Sequence, residues 1–420
     1  MASLAIAGGP KTVDRPLGKP WPVFGDRERQ LLLEVLESGK WWRGAYGENE
    51  IDQSKVAQFE QAFAEYQDAK YGIAVTNGTQ ALECALKALD IEPGDEVIVP
   101  AATFIASATA VILVNAIPII VDIDPATYQI SPAAIEAAIT ERTAGIIPVH
   151  YGGYPCDMDA INAIAEKHGL FVLEDCAHAH GTIYKGKKLG ARGHMGAFSL
   201  QMGKTLTCGE GGIVLTNDED LAAKAYSFHH IGRIAGRPFY EFHLVASNLR
   251  MTEWQGAVAL AQLERLDEQA ETRDANARYL EDGLREIEGV APIDRVPGLD
   301  RWNFYFYHWR FIKDEWPEGV TRDKFMEALR AEGVPVHLGP LQPIYQHPVF
   351  TERNFGPVCY PPDTPVPDYS QVRCPECERI YREEGVSMPH AIFLGGREDM
   401  DLILDAIRKI RDNVDELLKL

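Results

Sequence analysis

Two side chains define the chemistry open to this sequence. Lys204 lies in Ser199-Leu-Gln-Met-Gly-Lys204-Thr-Leu-Thr-Cys-Gly-Glu-Gly-Gly212, between a strand-like end and a glycine-rich turn. An amine aimed and partly desolvated there can condense with an aldehyde, because only the neutral amine attacks. Asp175 ends the apolar run Phe171-Val-Leu-Glu-Asp175, 29 positions earlier. Pyridoxal phosphate needs both groups, a lysine for its aldehyde and an acid for its pyridinium nitrogen. Read singly, the lysine is a surface residue and the aspartate a helix cap; their setting together favours the cofactor. Lys185, Lys187 and Lys188 are poor rivals for the Schiff base, since Tyr184-Lys-Gly-Lys-Lys188 reads as a solvent-facing hairpin turn.

A phosphate would need donors near these two. Thr76-Asn-Gly-Thr79 sits between a strand and a helix, where free backbone N–H groups bind anions and Gly78 permits close approach. The same tetrapeptide also reads as a structural turn with Thr79 as N-cap. Phe104, after Pro100-Ala-Ala-Thr103, can stack on a cofactor ring or serve as a core aromatic.

The elements that must position these residues follow from periodicity. Short apolar runs at 71–75, 96–99, 118–122, 145–149, 171–175, 196–199 and 212–216 read as strands. Helical patterns fill 79–89, 105–114, 131–139 and 157–168. Continuous apolar strands imply a mostly parallel sheet covered on both faces, with ligands beyond the strands' carboxyl ends. Asp175 and Ser199 both fall at such ends. The stretch 101–123 is almost uncharged and as long as a membrane span, but it breaks at Asn115-Ala-Ile-Pro118. It reads as a buried helix followed by a central strand. A helical connector spans 252–286; beyond it come a strand at 304–311, a helix at 322–332, a strand at 334–337, a proline-rich loop at 356–367 and a closing helix at 399–418. The expectation is an α/β protein with a large domain, 15–270, and a smaller C-terminal α/β domain, 271–420.

Composition narrows the class. A net charge of −21 over 420 residues disfavours nucleic acid and anionic membranes as partners. Seven scattered cysteines, an odd count, and an opening Met1-Ala-Ser-Leu-Ala-Ile-Ala-Gly-Gly without an export pattern read as a cytoplasmic protein with reduced thiols. Cys374-Pro-Glu-Cys377 is a lone pair without a second, so it reads as a helix start near a buried face, and no metal is expected.

Asn77-Gly-Thr79, Pro100-Ala-Ala-Thr-Phe104, Pro148-Val-His150, Glu174-Asp-Cys-Ala-His-Ala-His-Gly181, the Lys204 run and Ser247-Asn-Leu-Arg-Met-Thr-Glu253 together resemble the DegT–StrS group of sugar and cyclitol aminotransferases. The likeness covers nearly the whole chain from about residue 20. It implies the fold-type-I architecture of pyridoxal-phosphate aminotransferases. By this resemblance Lys204 is the cofactor-bearing lysine and Asp175 the pyridinium partner. Gly78, Thr79 and Ser199 are implied phosphate ligands, and Phe104 the stacking aromatic. Asn248 matches an asparagine that reaches the neighbouring subunit's phosphate, implying a homodimer with composite active sites. Where many members carry glutamine beside the cofactor's phenolic oxygen, this chain has His178, whose imidazole can donate a similar bond.

Trp41-Trp-Arg43 and Ala177-His-Ala-His180 lean toward the 3-amino-5-hydroxybenzoate synthase branch, and Met388-Pro-His390-Ala-Ile-Phe-Leu toward the glutamine-dependent scyllo-inosose aminotransferases. His390 either lines the substrate cavity or is a buried structural histidine. The leading expectation is transfer of an amino group from glutamine or glutamate to a cyclic ketone, a cyclitol or keto-sugar. The alternatives are an aromatising dehydratase of the aminohydroxybenzoate type and a non-enzymatic regulator on the same fold. Sugar dehydratases that resemble this scaffold replace the lysine by histidine, so Lys204 argues against that separate subgroup.

Overall fold

Seven apolar runs pair side by side in the computed structural model: β1 (Tyr71–Val75), β2 (Glu96–Pro100), β3 (Ile117–Val121), β4 (Thr143–Ile146), β5 (Phe171–Asp175), β6 (Met195–Ser199) and β7 (Gly212–Thr216). The structure describes residues 3–419; Met1 and Ala2 of the opening segment lie outside the described residues, as does Leu420. The order across the sheet is β1-β7-β6-β5-β4-β2-β3. Pairings from β6 through β5, β4 and β2 to β3 are parallel, while β7 runs antiparallel to both β1 and β6. Such a sheet must be covered on both faces, which is why its strands read as unbroken apolar runs.

Eight helices flank or lead from this sheet: α1 (Asp26–Ser38), α2 (Lys55–Tyr66), α3 (Gly78–Ala88), α4 (Ala106–Leu113), α5 (Pro132–Ala138), α6 (Met158–His168), α7 (Glu219–His229) and α8 (Glu253–Leu263). Alternate residues of each strand face opposite layers. Ile98, Ile146 and Val172 pack with Ile135 of α5 and Ile161 of α6. Val97, Val99 and Leu173 share the opposite core with Ala85 of α3 and Val111 of α4.

The reading of 118–122 as a central strand is corrected: β3 lies at the sheet's edge. Its apolar character has another cause. The segment around 356–371 lies over this edge, with Tyr369 donating its hydroxyl to the Pro118 carbonyl at 2.9 Å and the Cys359 N–H bonding Asn115 Oδ1 at 2.8 Å. The 252–286 connector is two helices. α8 begins with a capping box between Thr252 and Gln255, and α9 (Leu266–Arg285) follows a break at Glu264-Arg265.

Four antiparallel strands form a second sheet: β8 (Val290–Pro292), β9 (Phe306–Phe311), β10 (His337–Leu338) and β11 (Gly385–Pro389), in the order β8-β9-β11-β10. β9 starts two residues later than the sequence pattern suggested, and β10 sits beyond Val334–Val336. Leu280 and Leu284 of α9 pack here with Trp309, Ile403 and Ile407. The N-terminal segment also docks on this unit: the buried Glu332 carboxylate accepts the N–H groups of Ala5 and Thr12. Gly18 N–H reaches Asp399 at 3.0 Å, which sends the following residues, Trp21 to Phe24, toward the large sheet.

Candidate active site

The carboxyl ends of β5 and β6 put Asp175 and Ser199 on one rim, as parallel neighbours must. Asp175 is buried. Ser107 of α4 donates its hydroxyl to Oδ2 at 2.7 Å, and the Ala177 N–H reaches Oδ1 at 3.1 Å. Behind Ser107 stands Thr103, with 2.7 Å between the two hydroxyl oxygens. Burial pushes the Asp175 carboxyl up; Ser107, Ala177 and the Lys204 charge pull it back. A cation brought against this carboxylate would pull it further toward its charged form.

At the same rim, Asn77 caps α3, its side chain accepting the Gln80 N–H at 2.9 Å. The expected alternative of Thr79 as cap is therefore set aside: Thr79 is the second residue of the helix. The N–H groups of Gly78 and Thr79 have no preceding turn to accept them and remain available. A Cβ at position 78 would lie 2.7 Å from Ser199 Cβ, so only glycine lets the helix start close on the β6 end. Gly78, Thr79 and Ser199 thus converge on a small donor cradle at the positive end of a helix dipole.

Lys204 closes the opposite side. Its backbone N–H bonds the Gln201 carbonyl at 2.8 Å, fixing a turn after β6. The side chain is half-buried, and Nζ rests 4.2 Å from the centroid of the Tyr305 ring. Burial lowers its pKa to about 8, with Asp175 opposing. His180, which sequence reasoning passed over as a separate position, braces this turn by donating Nε2–H to the Ser199 carbonyl at 2.8 Å, with Thr205 at its Nδ1.

His178 is also buried. The Gly152 N–H donates to Nδ1 at 3.1 Å, so the proton resides on Nε2, which can donate to an oxygen. Burial and the Lys204 charge hold this imidazole neutral, well below its ordinary value. His390 is buried, and its Nδ1 has no partner among the described residues. It donates Nε2–H to the Gly203 carbonyl at 3.0 Å and meets the Trp21 ring edge-on at 4.5 Å. Trp21 in turn donates its indole N–H to Met202 at 2.8 Å, so the N-terminal segment clamps the lysine turn.

Two expected residues stand apart. Phe104 leaves the core reading behind: its ring is 61% exposed beside Thr103. Asn248 is exposed on a segment paired with His230, and bonds only the Arg250 N–H, at 3.4 Å, among the described residues. Around it Phe239, Tyr240, Phe242 and Val245 are all at least half exposed. Ser107, Tyr305 and Trp21 were not singled out from sequence. Only the apolar context of Ser107 and the run of aromatics at 302–309 hinted at them.

His150, Glu174 and Cys176 lie close enough to hold an ion. The acceptor positions of His150 and Glu174 are otherwise engaged. Glu174 accepts His150 Nε2–H and the N–H groups of Gly190, Arg192 and Gly193, and His150 Nδ1 accepts the Cys156 N–H. The cluster is a buried hydrogen-bonded brace under Asp175. Cys374 and Cys377 are buried at the start of the helix Pro375–Arg379.

The donor set suits pyridoxal phosphate. A buried carboxylate faces a desolvated lysine, a neutral imidazole offers an N–H, and a glycine-tight helix start offers anion donors. Comparison with known proteins agrees. The model of the DegT/DnrJ/EryC1/StrS aminotransferase family matches residues 23–366. An L-glutamine:scyllo-inosose aminotransferase from Streptomyces griseus is 38% identical, covering 99% of each chain. An L-glutamine:2-deoxy-scyllo-inosose aminotransferase from Streptomyces fradiae is 37% identical over 98% of each. The crystal structure of a 3-amino-5-hydroxybenzoic acid synthase superposes with a TM-score of 0.81 at 36% identity, covering 94% of this chain and 99% of that one.

Proposed function

Because the chain belongs to the DegT/DnrJ/EryC1/StrS aminotransferase family and is a pyridoxal-phosphate-dependent aminotransferase, we propose that it moves an amino group from glutamine or glutamate to a cyclic ketone of the inosose type. The observation that carries this reading is the gathering of Asp175, Ser199 and the Gly78–Thr79 helix start at one rim, with the Tyr305 ring linking His178 beside Asp175 to Lys204. Pyridoxal phosphate, when bound, supplies an aldehyde for amines and a ring that absorbs the electron pair left as a C–H proton departs.

The chain's own residues do the rest. Gly78, Thr79 and Ser199 hold the phosphate with backbone and hydroxyl donors. Asp175, oriented by Ser107 and Ala177, would hold its carboxylate toward the ring nitrogen. His178 would offer Nε2–H to the phenolic oxygen, and Phe104 would cover the ring. Lys204 would hold the aldehyde at rest. Once its amine is freed it takes the proton from the donor's α-carbon, and in the second half-reaction delivers one to the former ketone carbon. An amine with a pKa of about 8 can act in both directions near neutrality. A shared site for donor and acceptor predicts ping-pong kinetics.

A homodimer belongs to the same proposal. Asn248 and its exposed aromatic neighbours lie on a surface suited to a second copy, with Asn248 reaching the partner's phosphate cradle. The division at 270/271 into a cofactor-binding unit and a smaller unit passes through α9. Among the described residues no helix is long and apolar enough to cross a membrane.

The test is direct. Purified protein is given glutamine or glutamate, then a panel of inososes, keto-sugars and aminoshikimate-type acids, with products read by mass spectrometry. Amination of an inosose with loss of the keto acid supports the proposal. Release of an aromatic amino acid by dehydration replaces it with the aminohydroxybenzoate reading.

A further inference from the structure

Tyr305 has no part in the roles above, yet it touches several of the groups that do. It precedes β9, on the smaller sheet, and is half-buried. Its ring lies 4.5 Å from His178, 4.1 Å from Phe306 and 6.1 Å from His390, centroid to centroid, with Lys204 Nζ over its face. A Cβ at Gly203 would come within 2.9 Å of its hydroxyl oxygen, so the phenol closes directly on the lysine turn. We propose that Tyr305 is a positioning residue for Lys204: its ring face holds the ammonium by a cation–π contact and so sets how readily the free amine gives up its proton. This deepens the reading of Lys204 as the cofactor-bearing lysine and rests on it.

The groups facing Lys204 can be enumerated. Asp175 comes from the end of β5, His178 and His180 from the loop after it, His390 from the segment after β11, and Tyr305 from the lead into β9. Burial keeps the three histidines uncharged; His180 is held down to about 3, and His178 and His390 well below the usual range. Arg273 of α9 adds its charge beside His180 and His390, while Asp175 is the charge that acts on Lys204, favouring its protonated form. Burial works against that form. The negative face of the Tyr305 ring is the remaining attraction, and such contacts are worth more where water is excluded. Its loss should let burial carry the amine further toward its neutral form. Half-buried placement also makes Tyr305 replaceable without opening the core.

The experiment uses the holoenzyme after treatment with glutamine, which frees the amine at position 204. Trace labelling with acetic anhydride across a pH series, with the Lys204 peptide quantified by mass spectrometry, gives the amine's titration midpoint. Tyr305→Leu and Tyr305→Met should each lower that midpoint by about one pH unit, while Tyr305→Phe should hold it within about 0.3 of the parent. The acid limb of kcat should move the same way. Unmoved midpoints in both aliphatic variants overturn the proposal. So does a Phe variant that shifts as far as Leu, since the effect then belongs to the hydroxyl. A parent protein whose Lys204 labels equally before and after glutamine overturns the assignment of Lys204, and with it this role for Tyr305.

Discussion

Replacing Ser107 by alanine removes its bond to Asp175 and the Thr103 contact behind it, and little else. The Ser107 hydroxyl donates to Asp175 Oδ2 at 2.7 Å, and both residues are buried. A hydrogen bond to a charged group contributes about 1.5–3 kcal/mol, and leaving its acceptor dry costs a similar amount. At about 1.4 kcal/mol per unit, the Asp175 carboxyl should rise by a further one to two units. The Ala177 N–H stays on Oδ1, so the side chain keeps its place and the loss is confined to charge. Pairing with the ring nitrogen weakens by the same free energy. Affinity for pyridoxal phosphate should therefore fall by about tenfold to a hundredfold. Because the damage is protonation of Asp175, the loss should be larger at about pH 6 than at about pH 8. Absorption titration of cofactor-depleted protein with pyridoxal phosphate at both pH values measures it. Thr103→Val, one bond further back, should cost only about threefold. Unchanged affinity in Ser107→Ala, or a loss that grows with rising pH, would refute the reasoning.

Further outcomes follow from the same geometry. Asp175→Asn should lower kcat by at least about a hundredfold with the fold intact by circular dichroism, since a neutral amide cannot hold the ring nitrogen protonated. His178→Gln should stay within about tenfold of the parent and His178→Phe should lose about a hundredfold, because the first keeps an N–H donor and the second does not. The donor half-reaction should rise with pH through a midpoint near about 8, against 10.5 for an ordinary lysine, as burial favours the neutral amine; stopped-flow absorbance reads it. Glu174→Gln should destabilise the protein by about 3 kcal/mol in denaturant unfolding, because an amide NH2 replaces one of the two oxygens that accept from His150 and three backbone N–H groups, leaving two of those donors facing a donor, and the buried charge is lost.

Much of the large sheet was legible because its strands are buried on both faces and so are written as unbroken apolar runs. That same signal misplaced β3. Hydropathy reports that a strand is covered, not what covers it, and here the cover is a loop carrying Tyr369 from some 250 positions away. The convergence of Asp175, Ser199, Gly78 and Lys204 was legible because the chemistry proposed for each restricts residue type and places it at or just after a strand end. Ser107 was not, being one of two hydroxyls in an otherwise apolar helix. Tyr305 was hidden among six aromatics between 302 and 309, where nothing local separates a core ring from one turned to the site. Trp21 acts only through a segment that docks first on the distant sheet, a relation no local pattern encodes.

The central claim is a covalent one and can be read directly. Borohydride treatment of the purified, coloured protein, followed by digestion and mass spectrometry, fixes the cofactor wherever it is joined. A phosphopyridoxyl group is expected on the peptide containing Lys204, and it should disappear in Lys204→Ala. The same group on Lys185, Lys187 or Lys188, or on no lysine at all, would contradict it.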